Sequence, residues 1–77
     1  MSAVVLHRID AAKGMSRFYR LDVQPDLFGA WCFIREWGRE GRSGQVREVP
    51  YPTPAEAQGA LERQCGAKLR RGYTQRT

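Results

Sequence analysis

Hydrophobic and polar residues alternate in the first part of the chain, within short segments separated by turn-forming residues. The clearest alternation lies in residues 17–24, where Tyr19, Leu21 and Val23 point to one side and polar side chains to the other. A period of two is typical of a strand with one buried face. Short segments rich in β-branched or aromatic residues predict three further strands, at residues 4–9, 31–37 and 45–49. The pattern therefore predicts a meander of about four antiparallel strands.

The intervening segments contain residues that interrupt regular structure. Gly14 allows a turn at residues 10–14, and a break follows at residues 25–29. Residues 38–44 hold three glycines, three charged residues and no apolar residue, which predicts a loop or a hairpin turn. Prolines after residue 49 end the fourth strand.

The third predicted strand has apolar residues on both of its faces. One face carries Trp31, Phe33, Arg35 and Trp37. The opposite face carries Cys32 and Ile34, which are equally suited to a core. Periodicity alone leaves open which face is buried.

The last third of the chain changes to a spacing of three to four residues, which predicts an amphipathic helix. Thr53 is a suitable N-cap, Pro54 suits the first helical position, and Glu56 completes a capping box. One apolar stripe follows, formed by Ala57, Ala60, Leu61, Cys65 and Leu69. Gly72 is suited to end the helix, and residues 74–77 are expected to fray. The expected fold class is α+β, a small antiparallel sheet of about four strands with one helix packed on one face.

Length and charge narrow the class of protein. Seventy-seven residues make one domain, 1–77, with its folded part over about 3–73 and a small core. The net charge is +5, and eleven of the thirteen cationic residues are arginines. An arginine fork holds phosphate through two hydrogen bonds and stacks on flat rings. These features favour an anionic partner, whether nucleic acid, an acidic protein or a membrane surface, although a GC-rich genome would also enrich arginine.

The candidate reactive residues are too few for a metal site or a catalytic site. A zinc site needs about four ligands, and Cys32, Cys65 and the single His7 supply only three, so no metal and no cofactor is expected. Both thiols are expected to be reduced and mostly buried. A lone histidine without a Ser/His/Asp set or a phosphate loop does not indicate an enzyme. The apolar run near the N-terminus is too short for a signal peptide or a membrane span, which predicts a soluble, cytoplasmic protein.

The most distinctive cluster of the sequence lies within eight positions at the end of the third predicted strand. It consists of Arg35, Trp37, Arg39 and Arg42, with glycines at 38 and 41. An indole flanked by guanidinium groups suits a nucleotide, because the ring stacks on a base or sugar and arginines hold phosphates. Glycines let the backbone turn and let a partner approach closely. The structural alternative is that Trp37 belongs to the core and the arginines are only solvated.

The stretch Arg-Glu-Trp-Gly-Arg-Glu-Gly at residues 35–41 resembles the signature of the WGR domain family. The resemblance extends to an aromatic strand at 17–21, to the strand at 31–34 that leads into the signature, and to a helix at 53–71 with a basic Gly-Tyr end. It covers about residues 3–73, and the chain is similar to short, free-standing bacterial members of the family. In poly(ADP-ribose) polymerases, WGR domains are antiparallel sheets with a helix that contact DNA near a strand break.

The resemblance implies roles for individual residues of this chain. Trp37 would lie against the sugar of a terminal nucleotide and Arg39 would contact DNA, and Arg35 matches a basic position found in some members. Glu40 departs from the pattern, because an apolar residue usually stands there, and its charge lies next to Arg39 in sequence. The polymerase domain is absent from this sequence, so no ADP-ribosyl transfer is implied.

Two hypotheses follow from the sequence. In the first, the chain is a nucleic-acid-binding module, with DNA ends or nicks favoured, in which Trp37, Gly38 and Arg39 form the centre. A wider positive field would come from Arg35, Arg42, Arg70 and Arg71. In the second, the same tryptophan and arginine surface is a hot spot for a protein partner. Salt separates the two hypotheses, because binding through several phosphates weakens about tenfold or more between 50 and 200 mM salt.

Overall fold

A computed structural model describes residues 3–76 of the chain. Its elements are β1 (Val4–Asp10), a short 3-10 helix (Ala11–Lys13), β2 (Met15–Pro25), β3 (Trp31–Arg39), β4 (Gln45–Tyr51), α1 (Pro54–Arg70) and β5 (Thr74–Arg76). The strands form one antiparallel sheet in the order β4-β3-β2-β1-β5. Helix α1 contacts β2, β3 and β4. The α+β class is confirmed, and residues 3–76 contain one α-helix, as predicted.

The sheet has one strand more than the sequence pattern indicates. Residues 74–76 form β5, which pairs with β1, and the hydroxyl of Thr74 donates to the carbonyl oxygen of His7 at 3.3 Å. The expectation of a frayed tail is therefore wrong for these residues, and Thr77 lies outside the described residues. The buried ring of Tyr73 anchors the chain directly before β5, so the polar tail is delivered to the free edge of β1.

The loop predicted at residues 38–44 begins two residues later than expected. Gly38 pairs with Phe18 and Arg39 pairs with Arg17, so β3 continues through the first part of the signature. Ladder hydrogen bonds to the long strand β2 outweigh the low strand propensity of glycine. The turn itself occupies residues 40–44, with Gly41 at a φ of 79°.

The register of the sheet resolves which face of β3 is buried. Tyr19 lies opposite Trp37, and Val23 lies opposite Phe33. All four of these residues belong to or pack against the core beneath α1, so the odd-numbered positions of β3 face the helix. The fully buried members of the core are Leu6, Leu21 and Ala57.

Helix α1 begins at the predicted N-cap Thr53 and ends at the predicted Gly72, but the Glu56 side chain bonds the hydroxyl of Thr53 and not its backbone N–H as in a capping box. The Thr53 hydroxyl accepts from the backbone N–H of Glu56 at 3.2 Å and donates to its carboxylate at 3.0 Å. At the other end, Gly72 has a φ of 94°, and the N–H of Tyr73 reaches back to the carbonyl of Lys68 at 3.1 Å. This is a Schellman ending, which turns the chain back towards the sheet.

The apolar stripe of α1 is shorter than predicted. Ala57, Ala60 and Leu61 are buried, and Cys65 packs against the core as a half-buried free thiol. Leu69 is 42% exposed, so its assignment to the buried stripe is wrong. The last turn of the helix therefore adds no buried residue to the core.

Candidate nucleic-acid interface

A cleft of about 450 Å³ lies where the C-terminal end of α1 meets the first part of β2 and the last part of β3. We call it the aromatic–basic cleft, and its lining residues are Arg17, Phe18, Tyr19, Arg35, Trp37, Gly38, Arg39, Lys68 and Tyr73. Four of these nine residues are cationic and four are aromatic, and the lining contains no carboxylate. The surface therefore combines flat rings with unbalanced positive charge.

Three aromatic rings form the base of the cleft. Trp37 stacks on Tyr19 with ring centroids 5.6 Å apart and an angle of 11° between the planes. Tyr73 meets Tyr19 edge to face at 6.2 Å and 86°. The Tyr19 hydroxyl accepts a hydrogen bond from the Gln64 side chain at 3.4 Å. Such pairs hold the indole in one orientation, and Trp37 remains only half-buried.

Two cations lie against these rings. The guanidinium carbon of Arg35 is 5.5 Å from the Trp37 ring centroid, and the ammonium nitrogen of Lys68 is 4.5 Å from that of Tyr19. Burial, followed by the charges of Arg71 and Arg35, lowers the pKa of Lys68 below its ordinary value. The Nε atom of Arg35 is buried and has no hydrogen-bond partner among residues 3–76. Both groups thus lie in a positive field that an anion would relieve.

A row of arginines crosses the sheet at the open end of the cleft. Arg17 of β2 lies directly opposite Arg8 of β1 and directly opposite Arg39 of β3. Each of the three lies two residues along its strand from a residue that faces the helix, namely Leu6, Tyr19 or Trp37. All three arginines therefore lie on the helix-side face of the sheet. Like charges directly opposite in a sheet are destabilising. The row is therefore a cost to folding that an anionic ligand would offset.

The charge of Glu40 is directed away from Arg39. Its carboxylate pairs with the His7 ring, and its backbone N–H donates to the carbonyl of Ser16. Within residues 3–76, the other ion pair joins Arg20 to Asp22, so no cation of the aromatic–basic cleft is paired with a carboxylate. Arg39 is exposed. The departure at Glu40 therefore leaves the guanidinium of Arg39 free.

Glycine is required at positions 38, 41 and 44 for different structural reasons. Gly41 needs a positive φ of 79°, which fits a turn. Gly38 lies within β3, where a Cβ atom would stand 3.0 Å from the Cα of Gly44. A Cβ on Gly44 would stand 2.5 Å from the carbonyl oxygen of Trp37. Gly38 and Gly44 thus permit close backbone packing beside the indole, whereas the sequence indicated close approach of a partner.

The structure brings together four of the seven residues that the sequence singled out. Arg35, Trp37, Gly38 and Arg39 line the aromatic–basic cleft. The other three, Arg42, Arg70 and Arg71, are exposed and lie outside its lining. Arg71 still acts on the cleft through its charge on Lys68.

Sequence reasoning did not assign five residues of the cleft to the site. These are Arg17, Phe18, Tyr19, Lys68 and Tyr73. The aromatic pair at 18–19 and the Gly-Tyr end of the helix are evident in the sequence, but their meeting with Trp37 depends on sheet register and on the helix ending.

Neither a metal site nor a membrane span is found in the described part of the chain. Residues 3–76 contain no group of three or more His, Cys, Asp or Glu side chains that could hold a metal ion. None of the helices there has the length and apolar character needed to cross a membrane.

Comparison with known proteins places this geometry in a family. The sequence model of the WGR domain matches residues 2–77. An uncharacterised protein of Sinorhizobium fredii, y4dW, is 32% identical over 71 residues, which are 92% of this chain and 35% of that protein. The chain thus spans about a third of the length of the curated relative it matches, and no solved structure matches it. The WGR domain is a nucleic-acid-binding type of domain in proteins like the poly(ADP-ribose) polymerases, and this chain belongs to the WGR domain family.

Proposed function

We propose that this domain binds nucleic acid, with DNA favoured, at a strand end or a nick. The indole of Trp37 lies against the sugar or base of the exposed nucleotide, and Arg39 contacts a phosphate. The observation that supports this best is the aromatic–basic cleft itself, which four cations line together with an indole stacked on Tyr19, and which no carboxylate of residues 3–76 lines.

The size of the cleft favours an end over an intact duplex. About 450 Å³ is within the range of sites that hold one small ligand, such as a nucleotide. Stacking needs an exposed ring or sugar face, and inside a continuous duplex both faces of each base pair are covered. A terminal nucleotide at an end or a nick offers such a face.

The charges provide the part of the affinity that does not depend on sequence. Arg17, Arg35 and Arg39 present guanidinium groups to the cleft, and Lys68 adds an ammonium group. Phosphate contacts position a nucleic acid but do not read its bases. We therefore expect preference for structure, namely ends and nicks, and little preference for base sequence.

A titration of the wild-type domain tests the proposal. Three labelled duplexes of equal length are used: one with both ends sealed by hairpin loops, one sealed and nicked, and one blunt. The nicked and blunt duplexes should bind more tightly than the sealed one, and binding should weaken about tenfold or more between 50 and 200 mM salt. Equal affinity for all three duplexes would contradict end recognition.

The arginine row supplies a second test, in which stability and affinity change in opposite directions. Arg17→Gln removes a like charge opposite both Arg8 and Arg39, so the free energy of unfolding should rise by about 0.2–0.5 kcal/mol at low salt. The same change should flatten the salt dependence of duplex binding by about 0.9 in the log–log slope. Urea unfolding and fluorescence anisotropy measure the two quantities.

The matched control for this test is Arg20→Gln. Arg20 lies on the opposite face of the sheet, beside Asp22, and outside the cleft. This variant removes the same charge, and it should leave the slope of duplex binding nearly unchanged. If both variants flatten the slope equally, the cleft has no special part in binding.

The second candidate function is a protein-interaction module. A cluster of Trp, Tyr and Arg side chains is also the composition of a protein hot spot, and the curated relative carries a similar sequence within a longer chain. A contact centred on Trp37 with a protein should depend only weakly on salt. The titration therefore separates the two functions by the slope against salt concentration.

A further inference from the structure

A second cleft lies on the other side of α1, between the helix and the strands β3 and β4. It has a volume of about 320 Å³. We call it the arginine cleft, and its lining residues are Phe33, Arg35, Arg47, Val49, Tyr51, Ala60, Arg63 and Gln64. Three of the eight are arginines, and none is acidic.

The charges of the arginine cleft are not balanced by the fold. Arg35 and Arg47 stand directly opposite each other on β3 and β4, an arrangement that destabilises a sheet. Within residues 3–76, none of the three arginines of this cleft takes part in an ion pair. Arg47 and Arg63 are exposed, so their guanidinium groups are accessible to a ligand.

The arginine cleft adjoins the aromatic–basic cleft at Arg35, which lines both. Gln64 of the arginine cleft donates to the hydroxyl of Tyr19 of the aromatic–basic cleft, so this contact lies at the boundary between the two. Arg47 of the arginine cleft stands directly opposite Arg35 across the β3–β4 ladder, so the cations of the two clefts are neighbours on one face of the sheet.

Because the two clefts adjoin, we propose that the arginine cleft binds the phosphates of a single strand that continues from the nucleotide at Trp37. The proposal rests on the proposed function and extends it to a ligand of defined form, a duplex with a short single-stranded overhang. A volume of about 320 Å³ is that of a small-ligand site, which suits one nucleotide of a single strand better than a duplex. Tyr51, half-buried in the same wall, offers a ring to an unpaired base.

The test compares a blunt duplex with the same duplex carrying a four-nucleotide overhang, on the 3′ or the 5′ strand. Anisotropy titrations at several salt concentrations give the log–log slope for each. Two additional phosphate contacts should make the slope of affinity against salt concentration steeper by about 1.4 for one of the overhangs. The affinity for that duplex should then fall about sevenfold more between 50 and 200 mM salt than the affinity for the blunt duplex.

Arg47→Gln and Arg63→Gln test whether the arginine cleft is responsible. Each should lower the slope for the overhang duplex by about 0.7 and leave the slope for the blunt duplex unchanged. Arg20→Gln, on the opposite face, removes the same charge and should change neither slope. Arg47→Gln also removes a like-charge pair, so loss of folding does not confound the result.

The outcomes separate this inference from the function on which it rests. If blunt and nicked duplexes bind better than sealed ones but neither overhang adds affinity, the single-strand path is wrong and the proposed function stands. If Arg20→Gln acts as strongly as Arg47→Gln, the effect is a general field and the path is also wrong. If no duplex binds, both fail.

Discussion

Replacing Trp37 with alanine is expected to weaken binding to nicked and blunt duplexes by about 5- to 150-fold, since stacking on one base contributes about 1–3 kcal/mol. Binding to the sealed duplex, which depends on phosphate contacts alone, should change much less. The preference for ends over sealed duplex should therefore disappear. Anisotropy titrations of the three duplexes at one salt concentration measure the effect.

The other tryptophan of β3 provides a matched control. Trp31 is also half-buried and packs against the same core, but it lines neither cleft and lies six residues, about 20 Å, from Trp37 along the strand. Trp31→Ala should cost comparable stability and leave the affinity for ends intact. Equal losses of affinity in the two variants would mean that packing, and not contact with the nucleotide, explains the effect.

Gly44→Ala is expected to lower the free energy of unfolding by about 1–3 kcal/mol, as overpacking does in a close contact. The new Cβ would stand 2.5 Å from the carbonyl oxygen of Trp37 and 3.0 Å from the Phe18 ring. The first of these is a backbone atom held in the β3 ladder, so it cannot move aside cheaply. Because the displaced backbone carries the indole, affinity for ends should fall as well.

A glycine-to-alanine change at another position should raise the free energy of unfolding instead of lowering it. Gly66 lies within α1, and a Cβ there would meet only the end of the flexible Arg70 side chain, at 3.4 Å. Gly66→Ala should therefore raise the free energy of unfolding by about 0.5–1 kcal/mol, because alanine restricts the unfolded chain and favours helix. Urea unfolding followed by tryptophan fluorescence compares the two variants. An unchanged stability for Gly44→Ala would contradict the close packing described beside Trp37.

Much of the fold follows from local patterns. Alternation at residues 17–24 predicts β2, and the Thr53 cap and Gly72 define both ends of α1. The fifth strand could not be predicted in this way, because residues 74–76 are polar and show no period. Its formation depends on the helix ending, which carries the chain to the edge of β1.

The candidate site also contains some residues that the sequence predicts and others that only the tertiary structure brings in. Arg35, Trp37 and Arg39 are neighbours in sequence, so their clustering follows from the sequence alone. Arg17 joins them only through the register of β2 against β3, and Lys68 only through the position of α1. A pattern of residues along one segment contains no information about such long-range contacts.

The ending of α1 at Gly72 helps to build the aromatic–basic cleft. It returns Tyr73 to the ring of Tyr19, so the wall beside the indole is assembled from segments more than fifty residues apart. An isolated peptide that contains the Trp-Gly-Arg signature lacks this wall and the cations on it. Recognition by this surface is accordingly a property of the completed tertiary structure, and a graft of the signature loop onto another scaffold would not carry it.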